Sequence, residues 1–166
     1  MSTPLTILVL CTGNSARSIL AEALINATAN GRLRAVSAGS QPRGEVHPAA
    51  LALLREKGLS TTGLRSKSWD EFAGSQAVAI DIVITVCDSA AKESCPIWPG
   101  HPLTAHWGIP DPAAIQGDDA ATRAPFEVAY ERLQRRIDAL LALPFETLNQ
   151  AELKTHLARI GQMRDD

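Results

Sequence analysis

The chain has 166 residues, 45% of them hydrophobic and 20% charged, with a formal net charge of −2, the balance of one globular domain large enough to bury a core. That charge leaves no basic footprint for nucleic acid, no apolar run is long enough to span a membrane, and the N-terminus lacks the positive region of a secretory signal. Three cysteines, an odd number at spacings that fit no disulfide framework, favour a reducing compartment, so the expected location is the cytoplasm.

In chain order, Leu5 to Leu10 (LTILVL) is a continuous apolar run that predicts a strand buried on both faces. Ser18 to Ala29 places Ile19, Leu20, Ala23, Leu24 and Ala27 at helical spacing, with Gly31 as the stop. Arg34 to Gly39 reads as a second strand. Pro48 to Lys57 reads as a helix with proline in its first turn and Gly58 just past its end. Gly63 to Lys67 is a loop and Trp69 to Phe72 a short helical turn. Ala79 to Cys87 (AIDIVITVC) is rich in β-branched residues and predicts a third strand. A proline-rich stretch follows, then a fourth strand at LTAHW and a loop over Gly108 to Pro112. Arg123 to Leu143 carries a long helical pattern closed by Pro144, and a last helix runs from Asn149, a plausible N-cap, to Ile160.

The order β-α-β-α-β-β-α predicts an α/β fold: an open, mostly parallel four-stranded sheet with helices on both faces, plus a C-terminal helical extension. The expected organisation is a single catalytic domain over 1–166, with a core at 1–143 and the extension at 144–166. Ligands of such sheets bind at the carboxyl ends of the strands. Cys11, Cys87 and Asp111 all fall at or just past predicted carboxyl ends.

The turn after the first strand, CTGNSARS, leaves five residues between Cys11 and Arg17 ahead of a helix. Successive backbone N–H groups of Thr12, Gly13, Asn14, Ser15 and Ala16, with a helix N-terminus behind them, form a nest for a tetrahedral oxyanion. Arg17 supplies a planar fork for two of its oxygens. Ser18 can donate to the sulfur, and Asn14 is expected to brace the loop rather than touch substrate. The same positive field is expected to lower the Cys11 pKa from about 8.5 to about 5–7. The Walker phosphate loop is excluded because no Gly-Lys-Ser/Thr follows.

VLCTGNSARSILAEALIN, SAG (Ser37 to Gly39), ITVCDSAAKESCPIWPG and AHWGIPDP agree in order with one family. On these segments the chain resembles the low-molecular-weight protein tyrosine phosphatase superfamily, and within it the thiol-dependent arsenate reductases. A phosphatase needs one thiolate, one arginine and one acid, and has no use for Cys87 and Cys95. No aromatic residue follows Asp111-Pro112 to hold a phosphotyrosine ring. The resemblance therefore implies arsenate reduction. Cys11 attacks arsenic with Asp111 as proton donor, Cys87 attacks the Cys11 sulfur, and Cys95 takes over the disulfide for an external thiol reductant. It implies an arsenate- or phosphate-like oxyanion as ligand and no metal or other cofactor. Two other readings of the same residues are a phosphomonoesterase and a redox-sensing module without turnover.

Position 16 is alanine where many such reductases carry a further cysteine. The seven residues between Cys87 and Cys95 exceed the six common in thioredoxin-coupled members, which leaves thioredoxin and glutathione with glutaredoxin both open as reductant. That spacing is also unlike a zinc pair. Some members bind potassium beside the loop with positions matching Asn14, Glu22 and Ser37. The fourth ligand falls near Ser68 rather than on a carboxylate, and no ion is assigned here. Disulfide partners need Cα atoms about 4.4–6.8 Å apart. Eight helical residues separate Cys87 from Cys95 by about 12 Å and eight extended ones by roughly 26 Å. The 88–94 segment is thus expected to loop or refold during turnover, with Asp88 or Ser89 capping a short helix in the reduced form.

Other polar residues have plainer readings. His106, Trp107 and Tyr130 are expected to pack, and His47 to lie exposed at a helix start. Arg65 and Lys67 read as a solvated loop, and Arg132, Arg135 and Arg136 as a solvated helix face.

Overall fold

The first apolar run forms strand β1 (Leu5–Cys11), an inner strand of the sheet. In the computed structural model, which describes residues 4–73, 79–87, 102–110, 112 and 119–163, it is joined by β2 (Leu33–Gly39), β3 (Ile82–Thr85) and β4 (Leu103–His106). The order is β2-β1-β3-β4 and every pairing is parallel. A strand paired on both edges and covered on both faces has no solvent side, so it needs apolar residues at successive positions. Ile7, Leu8, Val9 and Leu10 are accordingly all buried. Ile7 and Val9 enter the larger core, Leu8 and Leu10 the smaller core on the opposite face.

Four α-helices build the larger core among the described residues: α1 (Arg17–Thr28), α2 (Pro48–Glu56), α3 (Asp119–Leu141) and α4 (Gln150–Gly161). Leu20 and Leu24, Leu53 and Leu54, Leu133 and Ile137, and Leu153 and Leu157 bring the apolar stripes of the four helices together. The smaller core is closed by the 3-10 turn Trp69–Phe72, whose Trp69 and Phe72 pack with Leu8, Leu10 and Val83. Helical structure thus covers both faces of an open parallel sheet, as the element order predicts.

Boundaries differ where burial and strand pairing part company. The third strand covers only Ile82–Thr85, although Ile80, Val86 and Cys87 around it are also buried. Just before it Asp81 ties the sheet together: its N–H donates to the Thr6 carbonyl, its carbonyl accepts the Leu103 N–H, and its carboxylate accepts the Thr6 N–H at 2.8 Å. The third helix begins at Asp119 rather than Arg123, in a stretch with no apolar periodicity to announce it. Arg136 is not on a solvated face. It is buried, and its guanidinium donates to the carbonyls of Arg132 and Met163, tying α3 to the chain just beyond α4.

The C-terminal helix packs against β4, the edge strand. A capping box starts it: Asn149 Oδ1 accepts the Glu152 N–H at 2.8 Å, and Glu152 answers at the Asn149 N–H. The buried Trp107 indole donates to the Leu157 carbonyl at 3.0 Å. At the far end Gly161 runs so close to the strand that a Cβ there would lie 2.2 Å from the His106 carbonyl oxygen. Backbone cannot yield as a flexible side chain does. Gly161→Ala is therefore expected to lift α4 from β4 and to cost about 1–3 kcal/mol in urea unfolding. Gln162→Ala, on an exposed neighbour, should leave the midpoint unchanged.

Candidate active site

β2 lies on one side of β1 and β3 on the other, so the strand order reverses at β1. In parallel sheets that switch point opens a crevice at the carboxyl ends. Cys11 is the last residue of β1 and Arg17 the first of α1, which leaves residues 12–16 to line the crevice. The carbonyls of this loop are held from outside. Thr12 O accepts from the Gln41 N–H, Gly13 O from the Arg43 N–H and the Ser66 hydroxyl, and Ser15 O from the His47 N–H, all at 2.9–3.1 Å. Among the described residues nothing accepts the N–H groups of Gly13, Asn14, Ser15 or Ala16. The first turn of α1 has no acidic residue, and its N-cap Ala16 offers no side-chain cap. Carbonyls tied outward, uncommitted N–H groups and a bare helix N-terminus make an anion nest.

Asn14 holds that shape. It is fully buried with φ at +45°, the left-handed region that asparagine tolerates better than most residues. Its Nδ2 donates to Ser18 Oγ at 2.8 Å and Ser37 Oγ at 3.0 Å, and its Oδ1 accepts the Lys67 N–H at 2.9 Å. Asn14 is thus a brace, as expected. Ser18 meets Asn14, and among the described residues no hydrogen bond joins it to the Cys11 sulfur. Gly39, opposite Cys11 in the β1–β2 register, is fixed by proximity: a Cβ there would stand 2.4 Å from the Thr12 carbonyl oxygen.

The second thiol is at the same place. Cys87 lies just beyond β3, which pairs with β1 through Leu10↔Thr85. Cys11 and Cys87 are both buried free thiols, placed side by side at the ends of the paired strands β1 and β3. Cys87 Sγ also receives the Thr12 N–H at 3.3 Å and lies 3.5 Å from the Thr12 hydroxyl. The expected depressed pKa of Cys11 is not found in this arrangement. The neighbouring Cys87 side chain is the largest influence and raises it, burial raises it further, and Arg17 and the Thr12 N–H only partly offset them. Two adjacent sulfurs resist ionising together, so the pair holds on to a proton that Cys11 alone would release.

Arg17 lies between the loop and the segment that leads to the predicted acid, donating to the Ile109 carbonyl at 2.8 Å, two residues before Asp111. Asp111 and Cys95, and with them the 88–94 segment, lie outside the described residues. Trp107 and Tyr130 are packed, and the exposed His106 pairs with the Thr85 hydroxyl. His47 is half-buried rather than exposed. Its Nδ1 accepts from the Ala49 N–H at the start of α2, and its ring lies 4.8 Å from that of Phe126.

Two residues near the loop escape the sequence pattern. Arg43 lays its side chain against Gly13, with Nε 3.1 Å from where a Cβ would stand. Lys67, read as solvated, is buried, with Nζ 3.8 Å from Glu22 Oε1 and donating to the Arg65 carbonyl. Arg65 itself is exposed and paired with Glu71. Lys67 decides the question of potassium. Glu22, Ser37 and Asn14 are together, but an ammonium group already faces the carboxylate, and a second cation there would meet like charge. The residues present do not fit a bound potassium ion.

The profile of a family described as low molecular weight phosphotyrosine protein phosphatase matches residues 6–156. The chain is similar to an arsenate reductase of Bacillus licheniformis, 35% identical over 132 residues that span 80% of this chain and 91% of that one. Among solved structures it is similar to an arsenate reductase from Archaeoglobus fulgidus, with a TM-score of 0.57 and 30% identity, covering 80% of this chain and 98% of that one. It is also similar to a thioredoxin-dependent arsenate reductase of Corynebacterium glutamicum, with a TM-score of 0.54 and 26% identity, over 81% and 61% of the two chains.

Two outcomes follow from the geometry. Removing the sulfur that raises Cys11 should expose the effect of Arg17 and the Thr12 N–H. In Cys87→Ala the Cys11 thiolate, followed by absorbance at 240 nm, should form at lower pH than in the wild type. Its alkylation by iodoacetamide at neutral pH should accelerate by about tenfold. Asn14→Ala strands the Lys67 N–H and loses a residue suited to its backbone angle, and chemical unfolding should show a loss of about 2–4 kcal/mol.

Proposed function

The chain belongs to the low molecular weight phosphotyrosine protein phosphatase family, and we propose that within it the chain is an arsenate reductase working by a thiol relay. The observation that carries this reading is the placement of Cys87 beside Cys11 at an oxyanion nest, its sulfur 3.3 Å from the Thr12 N–H. The names of the relatives support it. A hydrolase needs the nest, the first thiol and an acid. A second buried thiol against the first is a liability to it, but a necessity for moving two electrons.

Arsenate enters the nest, held by the N–H groups of residues 13–16 and by Arg17. Cys11, as thiolate, bonds to arsenic, and one oxygen leaves as water after protonation, with Asp111 as donor. Cys87 then attacks the Cys11 sulfur as a thiolate. The S–As bond breaks and its electron pair stays on arsenic, which departs as arsenite while a Cys11–Cys87 disulfide forms. Arsenic gains two electrons and two thiols lose one each. Phosphorus has no comparable lower state, so a phosphoryl adduct would await water instead. Cys95 next attacks Cys87, freeing Cys11 as a thiol, and the Cys87–Cys95 disulfide is reduced from outside. The roles of Asp111 and Cys95 rest on the sequence and the family resemblance.

The reductant we favour is thioredoxin, on the likeness to the thioredoxin-dependent enzyme. Glutathione with glutaredoxin is the competing supply. A relay that rests in the dithiol state belongs in a reducing compartment, the cytoplasm. Among the described residues no helix is long and apolar enough to cross a membrane.

Arsenite production should be measured with thioredoxin and with glutathione–glutaredoxin supplied in turn. Turnover should appear with thioredoxin, and Cys87→Ser should abolish it while any aryl-phosphate hydrolysis by Cys11 persists. Phosphate release from aryl phosphates without arsenite formation would instead make the chain a phosphomonoesterase. A disulfide formed with peroxide, but never with arsenate, would make it a redox sensor.

A further inference from the structure

Lys67 and Arg136 are the two charged side chains buried among the described residues. Arg136 spends its guanidinium on the Arg132 carbonyl one turn back in its own helix and on the Met163 carbonyl beyond α4. Lys67 is different, because its contacts lead into the anion loop. An ammonium taken out of water is strongly unfavourable unless paired. Its partners are the Arg65 carbonyl at 3.0 Å and Glu22 Oε1 at 3.8 Å. The Glu22 side chain is only 12% exposed and so needs the cation as much as the cation needs it.

From Glu22 the contacts run inward. Glu22 Oε1 accepts from Ser37 Oγ at 2.6 Å, which commits the Ser37 proton and leaves its oxygen to accept from Asn14 Nδ2 at 3.0 Å. Asn14 Oδ1 in turn accepts the backbone N–H of Lys67 at 2.9 Å. The circuit begins on the Lys67 side chain and closes on the Lys67 main chain, with the left-handed residue of the anion loop inside it. Each donor has one direction only, and the Glu22 charge sets it. A neutral Glu22 could donate to Ser37, and the Ser37 proton would then compete with Asn14 Nδ2.

We propose that Lys67 is a positioning residue whose ammonium acts as a built-in counter-cation to Glu22, orienting the Ser37–Asn14 contacts that shape the anion loop and making a bound monovalent cation unnecessary. It never touches the anion. Burial lowers the pKa of Lys67 while Glu22 opposes that shift, in keeping with a charge maintained by its partner. The inference rests on the reading of residues 11–17 as an oxyanion nest, but not on arsenate as the anion reduced.

The test is binding of inorganic phosphate to the full reduced chain by calorimetry, in about 100 mM choline chloride and then in the same concentration of potassium chloride. Wild-type affinity should be the same in both salts to within about twofold. Lys67→Met leaves Glu22 without its cation and should weaken binding by about tenfold or more in choline, with potassium or ammonium restoring most of the loss. The double variant Lys67→Met with Glu22→Gln carries neither charge. It should bind phosphate equally in both salts, and it stands in should the single variant fail to fold. The proposal is overturned if potassium strengthens wild-type binding about tenfold, if Lys67→Met binds like the wild type, or if the double variant responds to potassium. Phosphate binding needs no electron transfer. A chain that binds phosphate in this pattern but forms no arsenite sinks the reductase assignment and leaves Lys67 its role; a wild-type chain that binds no phosphate sinks both.

Discussion

The parallel pairing of β1 with β3 is the constraint on which the site depends. The register Leu10↔Thr85 continues as a hydrogen bond from the Val86 N–H to the Leu10 carbonyl, so the two chains leave the sheet side by side. One then carries Cys11 and the other Cys87. No local motif could do this, because the thiols are remote in sequence and meet only when the strands are neighbours. The strands are neighbours because both are buried on both faces, between the helical layer and the 3-10 turn. A slip of one residue in either strand would exchange its core faces and send a sulfur to the opposite side. The apolar packing that stabilises the sheet therefore also sets the distance that the chemistry requires.

The anion loop is shaped from behind rather than from within. Its carbonyls are occupied by the Gln41–His47 segment and Ser66, and its one left-handed residue is pinned by Ser18, Ser37 and the Lys67 main chain. Every one of these contacts points away from the crevice. The N–H groups keep their direction before an anion arrives, so binding needs little reorganisation. Preorganisation of this kind needs buried polar groups, and these are tolerable only when each finds a partner.

Much of this could be read from the chain. β1 and α1 are legible because a continuous apolar run and a 3.6-residue stripe are local signals. Asn149 and Pro48 mark helix starts for equally local reasons. The Cys11–Arg17 loop follows from its place between the two. What escaped depends on neighbours that no local pattern encodes. The burial of Lys67 depends on Glu22 arriving from α1, and that of Arg136 on the chain beyond α4 folding back to it. The proton affinity of Cys11 shows the same limit: the sequence displays Arg17 and the N–H groups that lower it, but not the sulfur across the sheet that raises it. The third strand illustrates a milder failure, since burial continues past the last ladder pair and composition reports burial.

The raised proton affinity of Cys11 bears on the order of events in the proposed relay. With both sulfurs free, Cys87 and burial raise the proton affinity of Cys11, and the buried pair resists becoming a dianion. Once the Cys11 sulfur is bonded to arsenic it can neither donate the shared proton nor repel a neighbouring negative charge. The Thr12 N–H and hydroxyl remain against Cys87. In the proposed relay the attack by Cys87 follows, because only then does the Cys11 sulfur carry a leaving group. Its target, the Cys11 sulfur, lies beside it at the ends of paired strands, so the second step needs no search. In a relay built this way the first bond to arsenic removes the crowding of two negative sulfurs and opens the Cys11 sulfur to its neighbour.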